Sequence, residues 1–205
     1  MARGTSSNEF VFIKKVDIED DNNLKVPHWG LQEKKGGEWK ITETYNYISG
    51  QLIGIEKGSY EYKKGKKTFT QHQFIMLLKD GDEKMKVSIN YSYMSRGILN
   101  SLASVENFGG KVVKLTLYTN KDEFGACYTT VDGERVEWNL NPKDLPGHDD
   151  AKWVASFDYF INKIVDVIPK EEVEVLDDID DVIAEAEKEA EENLNIDDKG
   201  SGLPF

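Results

Sequence analysis

The alternation of side chains over residues 84–93 constrains the fold of this chain more than any other feature. Apolar or aromatic side chains stand at every second position, with Lys, Ser or Asn between them. A period of two is typical of a β-strand that buries one face and exposes the other. The apolar side chains are those of Met85, Val87, Ile89, Tyr91 and Tyr93. This stretch therefore predicts a half-buried strand.

Further strands are predicted on both sides of it, at residues 49–55, 68–78, 111–119 and 124–131. A turn at Asp80-Gly81 predicts a hairpin, and a helix with Ser95 as its N-cap is predicted after the alternating strand. Three strands, a helix and two strands is the order of a five-stranded OB barrel. We therefore predict a mainly β protein with an OB-fold barrel whose helix lies between strands 3 and 4. A plain antiparallel sheet with one helix is the alternative.

Three segments are predicted along the chain. Residues 1–45 form an N-terminal extension that packs on the barrel, with a strand at 10–13 and a loop or hairpin at 27–45. Residues 46–169 form the OB-fold domain with its C-terminal amphipathic helix, and residues 170–205 form an acidic tail. The helix is expected to start at Asp149 or Asp150 and to end at Pro169. Its apolar stripe is expected to pack on the barrel as core or to form a dimer face.

The formal net charge of −12 is concentrated in the tail. Residues 170–205 hold 14 Asp and Glu against three Lys, whereas residues 1–169 hold 24 acidic and 23 basic side chains. Blocks of like charge are typical of interaction tails. The nearly neutral body can still bind a polyanion through a local basic patch, because screening acts over about 8–10 Å.

Several classes of protein are disfavoured. The single Cys127 rules out a disulfide framework, and with only three histidines it argues against a thiolate-rich zinc site. No apolar run approaches the roughly 18 residues of a membrane span, and the first residues lack the apolar region of a signal peptide. No phosphate-binding loop, His-Glu-x-x-His or nucleophile elbow occurs. We therefore expect a cytoplasmic protein that makes no membrane contact, is not an enzyme and needs no cofactor or metal.

A basic segment at residues 57–67 is the first candidate site. It holds five lysines and one acid, interleaved with Tyr60 and Tyr62, and leads into Phe69. Lysines neutralise phosphates, and aromatic rings stack on bases of any sequence. In an OB fold this segment is the loop between strands 1 and 2, which flanks the binding face. The alternative is a solvated basic hairpin that only aids solubility.

The positive surface is expected to continue along the barrel. Lys84, Lys86, Lys111 and Lys114 lie on predicted strands, and Lys121 lies in the loop between strands 4 and 5. The aromatic residues that serve either as stacking platforms or as core are Tyr91, Tyr93, Tyr118, Phe124 and Tyr128. The candidate nucleic-acid-binding residues are Lys57, Tyr60, Tyr62, Lys63, Lys64, Lys66, Lys67, Phe69, Lys84, Lys86, Lys114 and Lys121.

The last nine residues combine Asp197 and Asp198 with a final Leu203-Pro204-Phe205. A terminal Phe beside carboxylates suits a hydrophobic pocket with a basic rim. This ending resembles that of bacterial single-stranded-DNA-binding proteins, in which an acidic tip precedes Ile-Pro-Phe. The N-terminal extension, the helix after the barrel and the lack of a Gly/Gln/Pro-rich linker are departures, so the chain looks more like a phage replication protein of this class.

The resemblance implies single-stranded DNA binding without sequence preference, in replication, recombination or repair, within a bacterium or a phage-infected cell. It also implies that Asp197, Asp198, Leu203, Pro204 and Phe205 recruit a polymerase, helicase or primase. The bacterial tetramer is not assumed, and a homodimer remains open. The alternative function is a protein-interaction module without nucleic acid, such as a phage structural OB domain or an acidic-tail chaperone.

Overall fold

The computed structural model describes residues 10–20, 24–121, 124–138, 140–146 and 154–169. These residues form one sheet, two α-helices and a single 3-10 turn at Pro142–Asp144. The strands and helices are β1 (Phe10–Glu19), β2 (Lys25–Lys35), β3 (Glu38–Tyr45), β4 (Tyr47–Lys64), β5 (Lys67–Asp80), β6 (Glu83–Asn90), α1 (Tyr93–Leu102), β7 (Val112–Thr119), β8 (Gly125–Val131), β9 (Glu134–Arg135) and α2 (Val154–Val165).

The described strands form a nine-stranded open sheet in the order β3-β2-β1-β6-β5-β4-β7-β8-β9. Every neighbouring pair is antiparallel except β1 and β6, which run parallel. The prediction of a mainly β protein is confirmed. Residues 10–45, predicted as part of an extension, supply three strands of this same sheet.

The core lies on one face of the sheet, which we call the inner face. Trp29, Phe74 and Leu115 are fully buried there, from β2, β5 and β7. The buried apolar residues of both helices join the same cluster, so the prediction that the C-terminal helix packs as core is confirmed. Its predicted start at Asp149 or Asp150 lies outside the described residues. On the opposite, outer face, Ile53 and Leu77 form a small second cluster with Phe10.

The five strands predicted for the barrel are present, in the order β6-β5-β4-β7-β8, with α1 between β6 and β7. Closing them into a barrel requires β6 to lie beside β8. In the described sheet β6 instead pairs with β1, where Phe12 lies opposite Lys86. The predicted closed barrel is therefore not detected, because the N-terminal strand occupies the edge of β6 that closure would use.

Two local predictions are wrong at the end of the alternating strand. β6 ends at Asn90, so Tyr93 is not a strand residue but the first residue of α1. The N-cap is Ser92 rather than Ser95. Ser95 stands three residues later, where its backbone N–H donates to Ser92 Oγ at 3.2 Å while the Ser92 N–H donates to Ser95 Oγ at 2.6 Å. This reciprocal capping box satisfies two donors that would otherwise be free at the helix start.

Candidate nucleic-acid interface

β4 and β5 continue as a two-stranded extension past the rest of the sheet. Their pairing runs to Lys64 opposite Lys67, whereas the pairing of β6 with β5 ends at Gln73 and that of β7 with β4 ends at Gln51. The predicted loop at residues 57–67 is therefore wrong: most of it is paired strand. We call residues 59–72 the arm.

The turn of the arm is as tight as a hairpin allows. Gly65 and Lys66 alone connect the strands, and Gly65 has a φ of +63°. A glycine at the first central position of a two-residue loop is what a type II′ turn requires, and this turn matches the twist of paired strands. The lysines at the tip are thus held by ladder pairing up to the turn itself.

One face of the arm is aromatic. Tyr62 lies directly opposite Phe69, and their rings stack with centroids 5.5 Å apart at an interplanar angle of 23°. The Tyr60 ring follows at 6.4 Å from that of Tyr62, and its hydroxyl accepts a hydrogen bond from Asn90 Nδ2 at 3.3 Å. Phe69 remains 40% exposed. This row of rings is a platform that a planar base can stack on.

The lysines of the arm divide between its two faces. Lys64 and Lys67 oppose each other, two residues beyond the Tyr62–Phe69 pair, so they share the aromatic face, and Lys66 lies in the turn. Lys63 has the opposite parity. Lys57 also lies on that side, with its Nζ 3.4 Å from Asp158 Oδ1 on α2. Lys57 therefore pairs with α2 rather than lying on the aromatic face.

Lys84 and Lys86 lie at the far end of β5 from the arm. Lys84 opposes Lys79, which is ten residues from Phe69, or about 33 Å at about 3.3 Å per residue. The Lys86 ammonium lies 4.6 Å from the ring centroid of Phe10, and only 6% of Lys86 is exposed. Lys86 is thus covered by an aromatic ring, and neither lysine is brought to the arm.

The remaining candidates lie on β7 and next to it. The Lys114 ammonium sits 3.7 Å above the ring centroid of Tyr47, an exposed residue that the sequence did not single out. The only sequence signal for Tyr47 is that it lies two residues before Ser49 and four before Gln51, the spacing of side chains on one face of a strand. Lys121 is exposed in the turn after β7.

The sequence did not decide which aromatic residues belong to the core and which are available for stacking. Their burial in the structure distinguishes the two groups. Tyr91 stacks on Phe157 of α2 at 3.6 Å between centroids, so it packs against the core. Burial raises the pKa of the Tyr91 phenol far above its ordinary value. The exposed aromatic residues are Tyr93 at 64%, Tyr118 at 40%, Phe124 at 71% and Tyr128 at 37%.

Other kinds of site find little support in the described residues. They contain no group of three or more His, Cys, Asp or Glu that could hold a metal ion. Burial raises the pKa of the Cys127 thiol to about 12, which suppresses its nucleophilic thiolate. No helix within the described ranges is both long enough and apolar enough to cross a bilayer. The predicted partner-binding residues Asp197, Asp198, Leu203, Pro204 and Phe205 lie outside those ranges.

Comparison of the chain with models of protein families, with curated proteins and with solved structures finds no match.

Proposed function

We propose that this protein binds single-stranded DNA with little sequence preference, and that the arm makes the main contact. The observation that carries the proposal is the stacked Tyr62–Phe69 pair, which leaves Phe69 40% exposed beside lysines at the tip. The cross-strand pair also stabilises the hairpin itself, by about 0.2–1 kcal/mol, but that gain does not require lysines beside an exposed ring. A ligand with flat apolar faces and a phosphate backbone uses both groups.

The two kinds of side chain contribute different parts of the binding free energy. Each stacked base is worth about 1–3 kcal/mol by alanine substitution, with little dependence on its identity. Each phosphate neutralised by a lysine releases counterions and makes the affinity depend on salt. The aromatic rings and the lysines of the arm would contact base faces and phosphates rather than base edges. The proposed binding therefore does not depend on sequence.

The order of strand pairing supports an OB-type origin for the sheet. β6-β5-β4-β7-β8 with a helix between β6 and β7 is the OB order, opened between its third and fifth strands. In this proposal the arm corresponds to the loop between the first and second OB strands, lengthened into paired strands. Strands β1 to β3 are then an addition to the OB strands, and β1 occupies the edge of β6 that barrel closure would use.

The proposed role is non-catalytic protection of single strands during replication, recombination or repair, with the acidic residues 170–205 recruiting partner proteins. Residues 1–169 are nearly neutral and residues 170–205 strongly acidic, which supports DNA binding by the first segment and recruitment of partner proteins by the second.

The test is the fluorescence anisotropy of a labelled oligo-dT of 30 nucleotides, titrated with the whole protein over a series of salt concentrations. We expect binding that weakens with salt and exceeds binding to a duplex of equal length. Tyr62→Ala should cost about 1–3 kcal/mol, whereas Tyr62→Phe keeps the ring and should bind like the parent. Tyr159→Ala removes a tyrosine on α2 that is 40% exposed and is the matched control. No binding refutes the proposal and favours a protein-interaction module. A preference for duplex also refutes it, and indicates a protein that binds double strands.

A further inference from the structure

A second group of exposed rings lies on the outer face of β4, β7 and β8. Tyr47, Thr116 and Tyr128 form one row across the three strands, because Thr116 is the register partner of both tyrosines. Tyr118 is two residues from Thr116, so it shares their face. The rings of Tyr118 and Tyr128 are 5.9 Å apart at 47°. We call Tyr47, Tyr118 and Tyr128 the tyrosine patch.

The tyrosine patch is open to solvent. Tyr47, Tyr118 and Tyr128 are 51%, 40% and 37% exposed, while Leu115 and Leu117 of the same β7 strand point to the inner face and are buried. Single exposed apolar residues are ordinary on a protein surface, but clustered ones mark a binding site. The three rings do not contribute to the core cluster, so the fold does not account for them.

The charges around the tyrosine patch favour an anionic ligand. The Lys114 ammonium lies 3.7 Å from the Tyr47 ring centroid, and the Arg135 guanidinium lies 5.8 Å from that of Tyr128. Arg135 also reaches Glu137 at 3.5 Å, in an exposed ion pair that contributes little. The other residues on this face of the paired stretches carry no carboxylate; they are Ser49, Gln51, Val112, Thr116, Ala126 and Thr130.

A polar group also lies within the tyrosine patch. Thr116 Oγ1, between Tyr47 and Tyr128, is buried and has no hydrogen-bond partner in the described part of the chain. That hydroxyl is covered and does not meet a ligand, but the flat open rings and the two cations together suit the bases and phosphates of a nucleic-acid strand better than an apolar protein surface.

We infer that the tyrosine patch is a second stacking surface for the same single strand that the arm binds. This inference rests on the proposed function. Tyr47 and Tyr60 lie on one strand, 13 residues apart, so the two surfaces are at most about 43 Å apart at about 3.3 Å per residue. About 13 nucleotides cover that length at the duplex spacing of about 3.4 Å, within the roughly 4–16 nucleotides that an OB fold holds.

The experiment measures the fluorescence anisotropy of the labelled oligo-dT of 30 nucleotides with the full-length protein and its variants. Tyr128→Ala should weaken binding about 5- to 150-fold, the effect of losing one stacked base. Tyr128→Phe and Tyr159→Ala should bind like the parent. Lys114→Gln should reduce the slope of log K against log salt by about 0.7, a readout that loss of packing alone does not change. Circular dichroism and thermal melting establish that each variant is folded.

The two proposals fail in different ways. If Tyr62→Ala binds weakly but Tyr128→Ala and Lys114→Gln match the parent in affinity and salt slope, the arm is the whole site and the inference on the tyrosine patch is overturned. If the parent protein itself does not bind the oligonucleotide, both the proposed function and the inference are overturned.

Discussion

The indole Nε1 of Trp29 donates a hydrogen bond to the backbone carbonyl oxygen of Leu115 at 3.1 Å. Trp29 lies on β2 and Leu115 on β7, five places apart in the order of the sheet. Both residues are fully buried. The bond therefore joins, across the inner face, two strands that are distant in the order of the sheet, which requires the open sheet to curl around the core.

The first prediction concerns this bond. Trp29→Phe removes the indole donor but leaves Leu115 paired within the sheet, so we expect a cost of about 0.5–1.5 kcal/mol for the lost hydrogen bond, in addition to any loss of packing. Urea unfolding measures the change. Trp138→Phe, at a residue 46% exposed, is the control and should cost less. Equal stability of Trp29→Phe and the parent would show that β2 and β7 are held together by other contacts.

The second prediction separates the lysines of the arm by face. Lys64→Gln and Lys67→Gln should each reduce the slope of log K against log salt for oligo-dT by about 0.7. Lys57→Gln should leave that slope unchanged, because Lys57 pairs with Asp158 on the opposite face. Salt titrations of the three variants test the assignment. An effect of Lys57 equal to that of Lys64 would contradict it.

The third prediction concerns the acidic residues 170–205. A tethered polyanion acts at high effective concentration on nearby lysines, so it competes with phosphates for them. A chain ending at Pro169 should therefore bind oligo-dT more tightly than the whole chain at low salt. The difference should shrink as salt screens the tail. Equal affinities at low salt would rule out the competition.

The fourth prediction concerns Cys127. Because burial raises the pKa of its thiol to about 12, the folded protein should react with a thiol reagent at pH 8 much more slowly than the urea-unfolded chain. The unfolded chain loses this proton first as the pH rises above about 9. Stability should therefore fall between pH 9 and 12, and the fall should be smaller in Cys127→Ala. Rapid labelling of the folded protein would show that the thiol is accessible.

Much of the local structure could be predicted from the sequence. The alternation at Met85, Val87 and Ile89 marked a real strand, and the glycine of the Asp80-Gly81 pair takes a φ of +60° in the turn before it. Asp132 and Gly133 likewise form a turn with φ of 51° and 85°. These features depend on a few neighbouring residues, so their physical cause is contained in the local sequence.

The sequence indicated which residues make up the candidate site, but not how they are arranged. Tyr60, Tyr62, Phe69 and the surrounding lysines were identified together, but a Lys- and Gly-rich segment looks like a loop when its pairing partner is unknown. The register decides that Tyr62 faces Phe69 and that Lys63 turns to the other side. Tyr47 was missed because its relation to Tyr128 passes through β7, more than 60 residues later in the chain.

By itself, the sequence determined strands β5 to β8, the turn at Asp80-Gly81, the amphipathic stripe of α2 and the acidic tail, since each follows from side chains close together in the chain. Only the tertiary structure decided that β1 pairs in parallel with β6 and that Trp29 reaches Leu115. A strand edge presents the same unpaired backbone groups to any partner. Whether the sheet closes into a barrel or adds the N-terminal strand therefore depends on how the whole core is buried. A local sequence pattern does not contain that information.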